Sequence, residues 1–106
     1  MKYVPERGNI VWIDLNPQAG RRPALVISPK EYNKKVGLGI FCPITNQIKG
    51  YPFEVVLPNG LKITGAILSD QIKNLDWTVR NTTFLCKLPD STVQDVFNKL
   101  STLLTF

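Results

Sequence analysis

Short apolar runs broken at close intervals by glycine and proline predict a mainly β fold, and apolar residues at helical spacing in the tail predict one C-terminal α-helix laid on it. Strands this short and this regularly punctuated favour a small antiparallel barrel. Size sets the third bound: 106 residues, 43% hydrophobic and 20% charged, make one domain over residues 1–106 with a single modest core.

Ile10-Val11-Trp12-Ile13-Asp14-Leu15 reads as the first strand, bounded by Gly8 and by Asn16-Pro17. Arg22 to Ser28 makes the second, stopped by Pro29. The polar stretch Glu31-Tyr32-Asn33-Lys34-Lys35 has room for one helical turn before a third strand, Leu38 to Cys42. Pro52 to Leu57 alternates as a fourth strand, and Pro58-Asn59-Gly60 is a strong turn signal. Further short strands are expected around Gly65 to Leu68, Ile72 to Leu75 and Thr83 to Lys87. In the tail, Ser91 and Gln94 have capping-box spacing, and Val93, Val96, Phe97, Leu100, Leu103 and Leu104 form an apolar stripe expected to be core. Trp12, inside a strand pattern, is expected in the core; Trp77, flanked by Asp76 and Thr78, is expected to be partly exposed and available to a partner.

Composition removes several chemistries. There is no histidine, so two cysteines cannot build a standard zinc site, and acid-base work would fall to Arg, Lys, Glu, Asp or Tyr. No metal or cofactor is expected. Cys42 and Cys86 lie in apolar runs and read as reduced, buried, small hydrophobes. Without a charged-then-apolar leader or an apolar stretch near eighteen residues, a soluble cytoplasmic protein is expected. Lys and Arg outnumber Asp and Glu by 13 to 8, a net charge of +5 that suits an acidic partner, nucleic acid first, or simply a soluble surface.

Two polar segments abut apolar runs: Gly20-Arg21-Arg22-Pro23 before Ala24-Leu25-Val26-Ile27, and Pro43-Ile44-Thr45-Asn46-Gln47-Ile48-Lys49-Gly50 after Leu38 to Cys42. Each puts cations and hydroxyl or amide groups at a strand end, where a rigid sheet can offer donors to an anion such as phosphate.

Tyr3-Val4-Pro5, Gly8-Asn9-Ile10-Val11-Trp12-Ile13-Asp14 and Ala19-Gly20-Arg21-Arg22-Pro23-Ala24-Leu25-Val26-Ile27-Ser28-Pro29 resemble the opening of the MazF/PemK toxin family. The likeness continues in order through Tyr32-Asn33-Lys34-Lys35, Lys49-Gly50-Tyr51-Pro52-Phe53-Glu54-Val55-Val56-Leu57 and Ser69-Asp70-Gln71-Ile72-Lys73. It implies an SH3-like barrel of the CcdB/MazF toxin type, a homodimer, and an mRNA interferase of the ACA or a related type. Such an enzyme cuts single-stranded RNA without a metal, leaving 2′,3′-cyclic phosphate and 5′-hydroxyl ends. A cognate antitoxin is the second implied partner, expected as an acidic, partly disordered segment over a basic groove.

The resemblance matches Arg22 to the family's catalytic arginine and Thr45 to the threonine that works with it. Arg21, Asn46, Gln47, Lys49, Tyr51, Asp70 and Gln71 are candidate RNA contacts, each with a plainer alternative. Arg21 is equally well a solvated strand-end charge, Asp70 at least as well an internal hydrogen-bond acceptor, Phe53 is expected in the core rather than stacked on a base, and Lys34 and Lys35 are expected to be a solvated face. At one place the chain departs from the pattern. Family members carry a loop of the form Lys/Arg-Gly-x-Glu-Gln-Ala-Gly, whereas Asn16-Pro17-Gln18-Ala19-Gly20 is shorter by about five residues and has no Glu. A short loop, a deletion or loop residues left out of the chain would each produce this, and clean alignment on both sides favours the last. Rival readings are a CcdB-like gyrase poison, which has no use for Arg22 and Thr45 as a pair, and a non-catalytic RNA-binding barrel, which would bind RNA with strong salt dependence but leave it intact.

Overall fold

The computed structural model describes residues 2–16 and 20–105. Its elements are β1 Asn9–Asn16, β2 Gly20–Val26, α1 Lys30–Val36, β3 Gly39–Thr45, β4 Glu54–Val56, β5 Ala66–Leu68, β6 Lys73–Leu75, a 3-10 turn Trp77–Val79, β7 Thr83–Lys87 and α2 Asp90–Ser101. Pro17, Gln18 and Ala19, on which the short-loop expectation falls, lie outside the described residues.

All strand pairs are antiparallel, in the order β4-β5-β3-β2-β1-β7, with β6 also on β3. β3 divides one edge between two neighbours. Its first half, Gly39 to Phe41, pairs with β6, and its end, Ile44 and Thr45, pairs with β5. The strands curl round an interior of Ile10, Leu25, Cys42, Ile44, Val55, Ile67 and Leu88, closed by Val93 and Val96 of α2. Each such isoleucine or leucine contributes roughly 1.5–3 kcal/mol by leaving water. The opposite face is covered too. Val11, Ile13, Ala24, Val26 and Phe41 pack there beneath Tyr3, Leu75 and Trp77. Two covered faces explain why β1 and β2 read as unbroken apolar runs.

Asn33 ties this second layer together. α1 starts after Pro29 and ends at Gly37, whose left-handed φ of 79° lets its N–H reach the Asn33 carbonyl. The fully buried Asn33 side chain accepts from Ser28 Oγ at 2.5 Å and donates to the carbonyls of Pro5 at 2.8 Å and Ser28 at 3.1 Å. Trp77 Nε1 donates to the Asn33 carbonyl at 3.0 Å. One residue, through its side chain and its carbonyl, therefore joins the N-terminal arm, α1 and the 3-10 turn.

Several sequence expectations need correction. The polar stretch 31–35 belongs to a seven-residue helix rather than a single turn. The third strand runs on to Thr45, so part of the polar segment is strand. The Ser91 and Gln94 capping box does not form: Pro89 precedes the first helical residue, its carbonyl accepts from Thr92 and Val93, and Ser91 sits inside the first turn. Gln94 instead donates to Asn98 Oδ1. Val93, Val96 and Leu100 are buried as expected, but α2 ends at Ser101 and leaves Leu103 and Leu104 exposed. Trp12 is only half-buried, because Arg21 rather than the core covers its ring. Cys42 is buried and Cys86 half-buried, both free thiols.

Replacing Asn33 by alanine leaves the buried Pro5 carbonyl without its donor and the Ser28 hydroxyl without its acceptor, although Ser28 Oγ still accepts the Ile40 N–H. The expected loss is about 2–4 kcal/mol in urea unfolding, against about 0.5 kcal/mol or less for exposed Lys34→Ala. Burial, with Asp70 adding to it, pushes the Cys42 thiol from its ordinary 9.0 up to about 12. A raised acid favours the folded state only while protonated, so this contribution is intact below pH 9 and fades as pH climbs toward 12. Burial and Glu6 raise Tyr3 in the same sense. Stability should therefore fall above pH 9, and less steeply in Cys42→Ala, as read from urea midpoints across that range.

Candidate active site

Register builds the site. Across β2 and β3 the partners are Val26 with Phe41, Leu25 with Cys42 and Ala24 with Pro43. Continuing that register by two residues sets Arg22 opposite Thr45, at the distance where facing side chains meet. Both line a cleft of about 410 Å³ with Pro23, Ile44, Asn46, Gln47 and Thr64. Pro23 and Ile44 supply an apolar floor. The rim is donors.

Arg22 is exposed, and among the described residues nothing pairs with its guanidinium. Its five N–H groups are therefore offered to whatever enters the cleft. Thr45 is half-buried, and its Oγ1 accepts the backbone N–H of Gln47 at 3.0 Å. With that lone pair engaged, the hydroxyl proton is left to serve as a donor.

Thr45 is held from behind by a backbone contact. β5 pairs Ala66 with Thr45, and the preceding Gly65 has φ of +131°. A Cβ at Gly65 would stand 2.4 Å from the Thr45 carbonyl oxygen, closer than real atoms approach. Only glycine permits β5 to lie so near.

The structure separates the other candidates into three places. Asn46 and Gln47 line the cleft beside Arg22 and Thr45. Arg21 does not, because neighbouring strand residues face opposite ways. Its guanidinium lies 5.6 Å over the Trp12 ring and donates to Thr83 Oγ1 at 2.8 Å. Lys49, Tyr51, Asp70 and Gln71 fall outside the cleft lining. The Tyr51 hydroxyl donates to Asp70 Oδ2, a bond that raises the phenol's pKa. Lys49 is exposed, and its backbone N–H is taken by Glu54. Lys34 and Lys35 are exposed on α1, as expected, and Trp77 is half-buried.

Sequence reading missed Thr64 and Glu54. Thr64 enters the cleft because it precedes Gly65 on the segment leading to β5, and a threonine beside a glycine before an apolar run was the available signal. Glu54 was hidden in an alternating strand pattern. Among the described residues no group of three His, Cys, Asp or Glu side chains could hold a metal ion. What suits a guanidinium, a hydroxyl and two carboxamides is a phosphate flanked by polar base edges.

Known proteins resemble this chain in sequence and fold. Residues 6–104 match the family described as PemK-like, MazF-like toxin of type II toxin-antitoxin system. The chain is 47% identical over 87 residues to the endoribonuclease toxin MazF of Escherichia coli K12, covering 77% of this chain and 78% of that protein. It is 32% identical to the endoribonuclease PemK of Escherichia coli, over 94% of this chain and 82% of that one. The crystal structure of MazF (Form-I) from Deinococcus radiodurans superposes with a TM-score of 0.92 at 45% identity, covering 97% and 98% of the two chains. The MazE-MazF (Form-II) structure from the same organism gives a TM-score of 0.91 at 45% identity. With a family match across nearly its whole length and two endoribonuclease relatives above 30% identity, the chain belongs to the PemK-like, MazF-like toxins of type II toxin-antitoxin systems.

Proposed function

We propose that this chain is an endoribonuclease toxin that cuts single-stranded mRNA at a short sequence motif, with Arg22 and Thr45 as its catalytic residues. The supporting observation is their convergence, from opposite strands in register, on one donor-lined cleft. The bond broken is the phosphodiester P–O5′. The ribose 2′-oxygen attacks phosphorus, its proton is lost, the 5′-oxygen leaves and gains a proton, and 2′,3′-cyclic phosphate and 5′-hydroxyl ends result. Arg22 sets a planar fork against the phosphate oxygens as their charge builds, and Thr45 adds a hydroxyl donor.

Arginine, with a pKa above about 12, is a poor base at neutral pH. Its leverage here is charge stabilisation, which needs no bound metal. Asn46 and Gln47 stand where they would read base edges beside the scissile phosphate, with Thr64 facing them. Lys49, exposed beyond them, is a second-tier electrostatic contact for the RNA backbone. Tyr51, Asp70 and Gln71 are assigned to holding the loop, and Arg21 to tying β2 to β7 across Trp12 of β1.

The working form in this reading is a homodimer of a single 106-residue domain in the cytoplasm, restrained by a cognate antitoxin. Structures of related toxins with their antitoxins support that partner, and free thiols at Cys42 and Cys86 suit a reducing compartment. No helix among the described residues is long and apolar enough to cross a membrane.

Incubation with a defined single-stranded RNA in excess EDTA tests the assignment. Cleavage should persist in the unaltered protein and fall about 10²–10³-fold in Arg22→Ala and in Thr45→Ala, the loss typical of one preorganised donor. Bound but intact RNA would favour a non-catalytic barrel. Gly65→Ala should cost at least about ten-fold in rate, because the added methyl must push the Thr45 carbonyl away. Normal single-turnover kinetics in that variant would show that Thr45 is positioned by other contacts.

A further inference from the structure

The segment that follows β3 carries Asn46 and Gln47 into the cleft, then turns at Gly50, where φ is +78°. Thr45 Oγ1 fixes its beginning through the N–H of Gln47. Its far end is fixed by a carboxylate. Glu54 Oε1 accepts the Gly50 N–H at 2.7 Å and the Lys49 N–H at 3.2 Å, and Oε2 accepts the Lys49 N–H at 3.1 Å. The Glu54 backbone N–H closes the same turn on the Tyr51 carbonyl at 3.0 Å.

Two successive amides converging on one anion, the second on a left-handed glycine, form a small anion-binding concavity. Here the chain fills it with its own side chain. Glu54 reaches it from the first position of β4, whose next residue, Val55, is buried and anchors the strand against β5. The requirement is specific in length and charge: aspartate is a carbon too short, and glutamine keeps one of two acceptor oxygens.

We propose that Glu54 is a positioning residue for substrate recognition, holding the 46–50 loop so that Asn46 and Gln47 stay aimed into the cleft. This rests on the endoribonuclease reading of that cleft, but its physical core is the loop itself. Removing the carboxylate frees Lys49 and Gly50 and lets the loop sample other shapes, so RNA must pay the ordering cost on binding. Arg22 and Thr45 sit on strands and keep their register. The defect should therefore fall on binding and base preference, and spare the chemical step.

Three measurements on the full chain test this. Amide hydrogen exchange at Lys49 and Gly50 should accelerate about ten-fold or more in Glu54→Ala and by less in Glu54→Gln. Affinity for a 2′-O-methyl RNA, which binds but cannot be cut, should fall about ten-fold in Glu54→Ala with partial rescue in Glu54→Gln, and KM on cleavable RNA should rise alongside it while kcat stays within about two-fold. Unchanged exchange and affinity in Glu54→Ala would overturn the proposal, as would a loss confined to kcat or one matched by a collapse of the thermal midpoint. If the unaltered protein binds RNA without cutting it, the nuclease reading fails while the exchange and affinity measurements still judge Glu54.

Discussion

The divided edge of β3 is the constraint on which the rest depends. One strand pairs with β2 along one side and, along the other, gives its first half to β6 and its last two residues to β5. That division bends the sheet around the Ile44, Ile67 and Val55 interior and leaves Thr45 as the last strand residue on a curved rim. It is possible only because Gly65 has no side chain. A methyl there would occupy the place of the Thr45 carbonyl, and β5 could not close on the end of β3.

Strand parity then decides which arginine meets the cleft. Arg21 and Arg22 are chemically equal and adjacent, yet a two-residue side-chain period sends them to opposite faces. Arg22, opposite Ile13 on β1 and in line with Thr45 on β3, turns to the cleft. Arg21, opposite Asp14, turns to Trp12 and Thr83. A one-residue slip would exchange them and also send Leu25 and its neighbours Ala24 and Val26 into each other's packed layers, so the packing of β2 holds the register that turns Arg22 to the cleft.

Much of this was legible in the chain because it is local. Strand existence follows from apolar runs and breakers, and the strand-end donors were visible as residues at run boundaries. Family resemblance singled out Arg22 and Thr45, but their meeting across β2 and β3 is a matter of register, which no single segment states. The failures share that origin. Ser91 and Gln94 have the spacing of a capping box, but the helix starts two residues earlier with Pro89 as its cap, and spacing alone does not say which residue is first. Trp12 has a strand neighbour's hydrophobicity, but a cation from the adjacent strand takes its ring. Glu54 looked like the polar half of an alternating strand, and its role appears only when the loop folds back on it.

The short connection between β1 and β2 raises the question of why the site would survive it. β1 does not rely on that connection for its ending. Arg80 donates from one guanidinium nitrogen to the carbonyls of Asp14 at 2.9 Å and Leu15 at 3.0 Å, and its own carbonyl accepts the Asp14 N–H at 2.9 Å. Asn81, in a left-handed conformation at φ 53°, adds a bond to Asp14 Oδ2 at 3.0 Å. The end of β1 is thus clamped by the segment before β7, and a register shift between Asp14 and Asn16 absorbs the mismatch before Asn16 meets Gly20. Past that shift the pairing is regular from Asp14 with Arg21 back to Ile10 with Leu25, so Arg22 keeps its place whatever spans positions 17–19. A loop at this corner can change in length or content while Arg22 and Thr45 stay fixed by their strands, with the end of β1 held by Arg80, 65 residues beyond Leu15 in sequence.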